Sequence, residues 1–125
     1  MQDDLEAIAN RIIGAAIEVH KSLGPGLLES AYEACLAIEL AHLGIPFERQ
    51  KPLPIHYREQ TVDAAYRLDF VVANQLILEL KSVDRFEPIH TAQVLTYLRL
   101  THLKLALLIN FNVPLLRDGL KRVIL

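Results

Sequence analysis

The sequence holds a single cysteine, Cys35, so it has no disulfide framework and no cysteine-rich zinc site. A reducing, cytoplasmic setting is the expected one. Its five histidines show no HxxxH spacing, and there is no CxxC, which removes the common zinc arrangements. No apolar run reaches the roughly 18 to 20 residues of a membrane helix. The longest candidate, LKLALLINF (103–111), has the length of a strand. The opening MQDDLEAIANR is acidic and lacks the basic-then-apolar layout of a signal peptide. Internal repeats, low-complexity tracts and linkers are missing too. Positive charge is not in excess: 13 Lys and Arg stand against 15 Asp and Glu, a formal net charge of −2. That argues against a protein whose main task is to coat nucleic acid. It leaves room for an enzyme that touches nucleic acid locally, with a metal ion supplying positive charge.

What is present is enough for one core. A chain of 125 residues suits a single domain, taken as 1–125, and a hydrophobic content of 52% excludes disorder. So high an apolar fraction in so small a domain points to a homodimer or a protein partner. Apolar residues at Ile8, Ile12, Ala15, Ala16, Val19 and Leu23 predict a helix over 3–22. Asp3, Asp4 and Glu6 suit its positive N-terminal end, and LGPG (23–26) stops it. A second helix is expected over 27–43, ended by Gly44 and Pro46. FERQKPLPIHY then reads as an edge or broken strand because of Pro52 and Pro54, and REQTVDAA as a polar turn. Strands follow over 66–72 and 76–82, a helix over 88–101 opened by Pro88, a buried strand over 103–111, and a short last strand after a turn at Asp118-Gly119. The order is α-α-β-β-β-α-β-β, a mixed sheet with helices packed on it.

The two central strands carry Asp69, Glu79 and Lys81 inside the apolar stretch YRLDFVVANQLILELKS (66–82). An unpaired buried charge costs ~3 to 5 kcal/mol, so these residues need a reason. Pairing 72 with 76 across a loop of Ala73, Asn74 and Gln75 sets Asp69 opposite Glu79. One face then holds Arg67, Asp69, Val71, Ile77, Glu79 and Lys81, and the other holds Leu68, Phe70, Val72, Leu76, Leu78 and Leu80. A one-residue slip would put Asp69 among the leucines, so the apolar pattern selects this register. Asn74 or Gln75 must take the unusual backbone angle of the loop. Two carboxylates this close repel unless a proton or a cation joins them. A hard divalent cation takes such oxygen ligands, and a neighbouring ammonium can hold water or neutralise developing charge. A buried Asp-Lys-Glu ion-pair cluster explains the same three residues equally well.

Asp69, nine residues, and then Glu79-Leu80-Lys81 resembles the D-x(n)-E-x-K core of the PD-(D/E)XK nuclease superfamily. GLLESAY (26–32) reads G-x-x-E-x-x-Y through Gly26, Glu29 and Tyr32, and is similar to the motif that names the GxxExxY protein family. QVLTY (93–97) reads Q-x-x-x-Y, as in RecB-like nucleases of the same superfamily. The phrases EVHKSLGPGLLESAYE, LELKSV and INFNVPLLRDGLKRVIL extend the resemblance from about residue 5 to 125.

The resemblance implies a restriction-endonuclease-like α/β fold and a Mg²⁺- or Mn²⁺-dependent hydrolase of phosphodiester bonds, with DNA as the substrate. It implies metal ligands at Asp69 and Glu79, with the Leu80 carbonyl and Glu29 completing the shell, Glu29 directly or through water. Lys81 would assist the attacking water, and Gln93 and Tyr97 would orient Lys81 or the substrate phosphate. Taken alone, these residues have plainer explanations. Glu29 could be a solvated carboxylate at a helix start, Tyr32 a core aromatic, and Gln93 with Tyr97 a narrow polar stripe. His20, His90 and Glu18 could reach such a site or be structural, and Arg117, Lys121 and Arg122 form a basic cluster fit for phosphates or for solubility. Two other functions stay open. One is a catalytically silent nuclease-fold module that binds nucleic acid or a protein partner. The other is metal-assisted hydrolysis of a small phosphate ester.

Overall fold

The computed structural model describes residues 4–63 and 66–125. Asp3, Ala64 and Ala65 therefore lie outside the described residues. Helix α1 (Leu5–Leu23) starts on Asp4, whose side chain accepts the Glu6 N–H, and buries Ile8, Ile12, Ala15, Ala16 and Val19. It ends on Gly24, at φ +67°, a left-handed angle suited to glycine. Leu23 is exposed, so the expected apolar stripe stops one turn early. Helix α2 (Glu29–His42) follows and packs on α1.

Five strands form the main sheet in the order β1-β4-β5-β6-β7: β1 (Phe47–Pro52), β4 (Arg67–Val72), β5 (Leu76–Lys81), β6 (Leu105–Asn110) and β7 (Leu120–Ile124). Among the described residues only β5 and β6 run parallel, joined through helix α3 (Pro88–Thr101). This is the mixed sheet flanked by helices that the sequence implied. The stretch read as a broken strand and a polar turn is more ordered than expected. Its second half forms a separate two-stranded sheet, β2 (Ile55–Tyr57) with β3 (Gln60–Val62). The bend between them places Arg58 and Glu59 at φ +48° and +66°, angles that neither residue type advertises.

The sheet separates two cores. On one side α1 and α2 cover Phe70, Val72, Leu78, Leu80, Leu107 and Ile109. On the other, Val94, Tyr97 and Leu98 of α3 cover Leu68, Val71, Ile77 and Leu108. Val72 pairs with Leu76 and Phe70 with Leu78, the register drawn from the leucine pattern. Ala73 and Asn74 take the positive φ of the loop, at 53° and 56°; Gln75 does not.

One expectation fails within β4. Leu68 does not share a face with Phe70 but lies with Val71 in the α3 core. Alternation is thus broken at Asp69. On the neighbouring strand, in the gap between the pairs Arg49–Phe70 and Lys51–Leu68, Gln50 sits at φ +49°. Both strands are wrung at one point, which turns the chain over without adding a residue.

Candidate active site

The wrung point is where the acidic residues meet. Regular pairing of β4 with β5 extends to Phe70–Leu78 and gives way to side chains beyond it. Asp69 Oδ2 accepts the Leu80 N–H at 2.8 Å. Glu79 Oε2 accepts the Asp69 N–H at 3.2 Å. Each carboxylate thus takes a backbone donor that a ladder carbonyl would otherwise hold. Because Lys81 O accepts from Phe111 on the β6 side, the Leu80 carbonyl, one residue earlier, is turned toward the Asp69 gap.

Glu79 is 7% exposed. Burial above all, then a side-chain hydrogen bond with Asp69 and the charge of Asp69, push its carboxyl up to about 9, against the weaker opposing pull of the Asp69 backbone N–H and then of Lys81. Without a cation Glu79 therefore keeps its proton at neutral pH. Lys81 is half-buried and makes no ion pair among the described residues, so the alternative of a closed Asp-Lys-Glu ion-pair cluster is not what forms.

Other residues arrive from the helices. Glu29 opens α2 and accepts the Ser82 N–H at 3.4 Å, just past Lys81. Its neighbour Tyr32 is buried, stacks on Phe111 with ring centroids 4.4 Å apart, and bonds through its hydroxyl to Gly24 O and Leu27 N. Tyr32 thereby fixes the loop that aims Glu29; it does not enter the site. Gln93 and Tyr97, one turn apart on α3, both line a groove on the opposite side of the sheet from α2. Burial first, then the charges of Glu79, Tyr66 and Asp69, push the Tyr97 phenol up to about 12, which places it within electrostatic reach of the acidic pair.

His20 and His90 are both engaged in contacts that hold the fold. His20 Nε2 lies 2.8 Å from Val113 O. His90 caps α3 reciprocally with Glu87. Glu18 lies on the surface beside Lys21, 3.7 Å away. The basic cluster also disperses. Lys121 bonds Thr91, while Arg122 pairs with Glu6 at 2.8 Å.

Three residues went unnoticed in the sequence. Glu33, one turn after Glu29, accepts from Arg49 at 2.9 Å and from Gln50 Nε2 at 2.6 Å. The same Gln50 nitrogen lies 3.4 Å from Asp69 Oδ1, so a strained residue ties Asp69 to α2. Asn110, 2% exposed, takes the Val83 N–H on Oδ1 and donates Nδ2 to Val83 O, clamping the chain that leaves Lys81. A polar residue ending the apolar run of β6 was its only signal.

The pair fits a hard divalent cation by its donor chemistry: two neighbouring carboxyl groups, with a carbonyl turned toward them. Glu29 is engaged with Ser82 and does not join them. Among the described residues no three Asp, Glu, His or Cys side chains gather into a ready-made metal cluster.

A family model described as the PD-(D/E)XK nuclease superfamily matches residues 6–123. The chain belongs to the PD-(D/E)XK nuclease superfamily. No curated protein and no solved structure matches it. Membership supports a nuclease-type function, and PD-(D/E)XK nucleases typically use divalent metals. No helix among the described residues is long and apolar enough to cross a membrane.

Proposed function

We propose that this chain is a divalent-metal-dependent nuclease that hydrolyses phosphodiester bonds of DNA, using Mg²⁺ or Mn²⁺. The observation that carries the reading is the reciprocal hold of Asp69 and Glu79, each accepting a backbone N–H of the other strand, with Lys81 making no ion pair among the described residues. Asp69, Glu79 and the Leu80 carbonyl would hold the ion, and Glu29 would complete the shell through water. Bound there, the ion would polarise the phosphodiester and ease ionisation of water. Glu79 would give up its proton on loading. Lys81 would orient the attacking water and offset charge developing on the phosphate. Gln93 and Tyr97 would steer the strand from the α3 side. The GxxExxY resemblance adds a structural part to this: Tyr32 pins the loop, and Glu29 is presented by it.

Cleavage of end-labelled DNA and RNA with Mg²⁺ or Mn²⁺ tests the proposal. Metal-dependent cleavage of DNA that is lost in Asp69→Ala is expected. Cleavage of RNA alone would reassign the polymer. A second reading, a catalytically silent binding module, is favoured by one observation, the absence of a three-residue acidic cluster among the described residues. No cleavage of any strand by the metal-loaded protein would establish that reading instead.

A further inference from the structure

The nuclease reading leaves a cavity without a use. A groove of about 290 Å³ opens between α3 and the small β2–β3 sheet, lined by Leu53, Ile55, Tyr66, Ile89, Gln93 and Tyr97 among others. None of its lining residues is charged. Ile89 is 68% exposed and Tyr66 44% exposed, so both present apolar surface that nothing in the described chain covers. The Leu53 N–H donates to Tyr66 O at 2.9 Å and anchors Tyr66 at the rim. Polar atoms are placed among these walls. The Gln93 amide and Tyr97 hydroxyl make no hydrogen bond among the described residues, and neither is a buried orphan, so both are open to a ligand. Tyr97 links the groove to the strands of the acidic pair. It lines the groove and packs in the same cluster as Leu68, next to Asp69, and Ile77, two residues before Glu79 on its strand.

Flat apolar walls with two phenol rings, and an amide free to donate and accept, match a nucleobase. Bases stack on aromatic rings for about 1 to 3 kcal/mol each, whatever their identity. The volume lies at the lower limit of ligand pockets, roughly 300 Å³, which suits one base and not a longer segment. A base within a duplex cannot present both its face and its edge to such a groove, so the occupant has to be unpaired. Resting on the nuclease reading, we propose that this groove binds one unpaired base of the strand whose phosphate lies at Asp69 and Glu79, which makes single-stranded nucleic acid the substrate class.

Two measurements test this apart from cleavage. In saturation-transfer NMR with adenosine and thymidine, which carry no phosphate, the base protons should respond more strongly than the sugar protons. That response should vanish in Tyr66→Ala and Ile89→Glu, both at exposed positions. In fluorescence anisotropy with Ca²⁺, a single strand should bind about tenfold or more tighter than an abasic strand of equal charge or a blunt duplex. The two variants should erase that preference. Equal binding of all three, or a preference that survives both variants, overturns the groove proposal while leaving metal-dependent cleavage to stand or fall separately. Base signals without cleavage in any metal would sink the nuclease reading and keep the groove.

Discussion

Asp69 and Glu79 hold each other through the backbone: the Asp69 N–H donates to Glu79 Oε2, and the Asp69 carboxylate takes the N–H of Leu80, the next residue after Glu79. The arrangement fixes two acidic groups in a partly dry place and keeps a proton on Glu79. Its first consequence is a pH dependence of stability. Unfolded, Glu79 ionises near 4.5; folded and without a cation it ionises near 9. Below the lower value both states hold the proton and the full stability is present. As pH rises through the window only the unfolded state sheds it, so stability falls, by up to about 1.4 kcal/mol per pH unit. Thermal melts in chelator from pH 5 to 9 should show this decline, and Glu79→Gln should flatten it. A wild-type melting temperature that stays level or rises across the window contradicts a proton held by Glu79.

Lys81 is expected to act on the reaction and not on the ion. Lys81→Ala should lose most cleavage activity while keeping metal affinity, whereas Asp69→Ala should lose both because a ligand is gone. Lys81 has no ion pair to break among the described residues, so the change should alter stability by under about 1 kcal/mol. Cleavage assays beside calorimetry separate these effects. Equal loss of cleavage and metal affinity in Lys81→Ala would remove its assigned part.

Gln50 tests the strain at the site. At φ +49° a side chain is disfavoured by about 1 kcal/mol relative to glycine. Gln50→Gly relieves that strain, and Gln50→Ala retains it; both lose the amide between Glu33 and Asp69. The glycine variant should therefore melt above the alanine variant, and both should cleave more slowly than wild type. An alanine variant as stable as the glycine variant would mean the strand relaxes out of this angle.

Much of this was legible because it rests on period. The three helices and the β4–β5 register follow from the spacing of Ile12, Val19, Val94, Leu76 and Leu78, since burial leaves little freedom there. The adjacency of Asp69 and Glu79 followed from that register. The turnover of Leu68 was not legible, because it depends on Gln50 adopting an angle that its residue type does not announce. The β2–β3 hairpin was hidden for the same reason, its bend being built from Arg58 and Glu59 where glycine or asparagine would have signalled it. Glu33 looked like any helical surface acid until Arg49 and Gln50 closed on it. The groove could not be read at all, since Tyr66 and Ile89 meet only in the tertiary structure.

The proposed cation site at the Asp69–Glu79 pair has to give up a proton on loading. It is tested most directly by calorimetric titration of Mn²⁺ or Mg²⁺ at neutral pH in two buffers of different ionisation heat. Because Glu79 holds its proton up to about 9, each ion bound should release close to one proton, and the apparent heat should shift with the buffer accordingly. Glu79→Gln should bind the ion far more weakly and release none. Binding in wild type with no proton release, or a wild-type titration that shows no binding while Glu79→Gln melts clearly lower, would contradict the metal site and leave the pair a structural element of the hairpin.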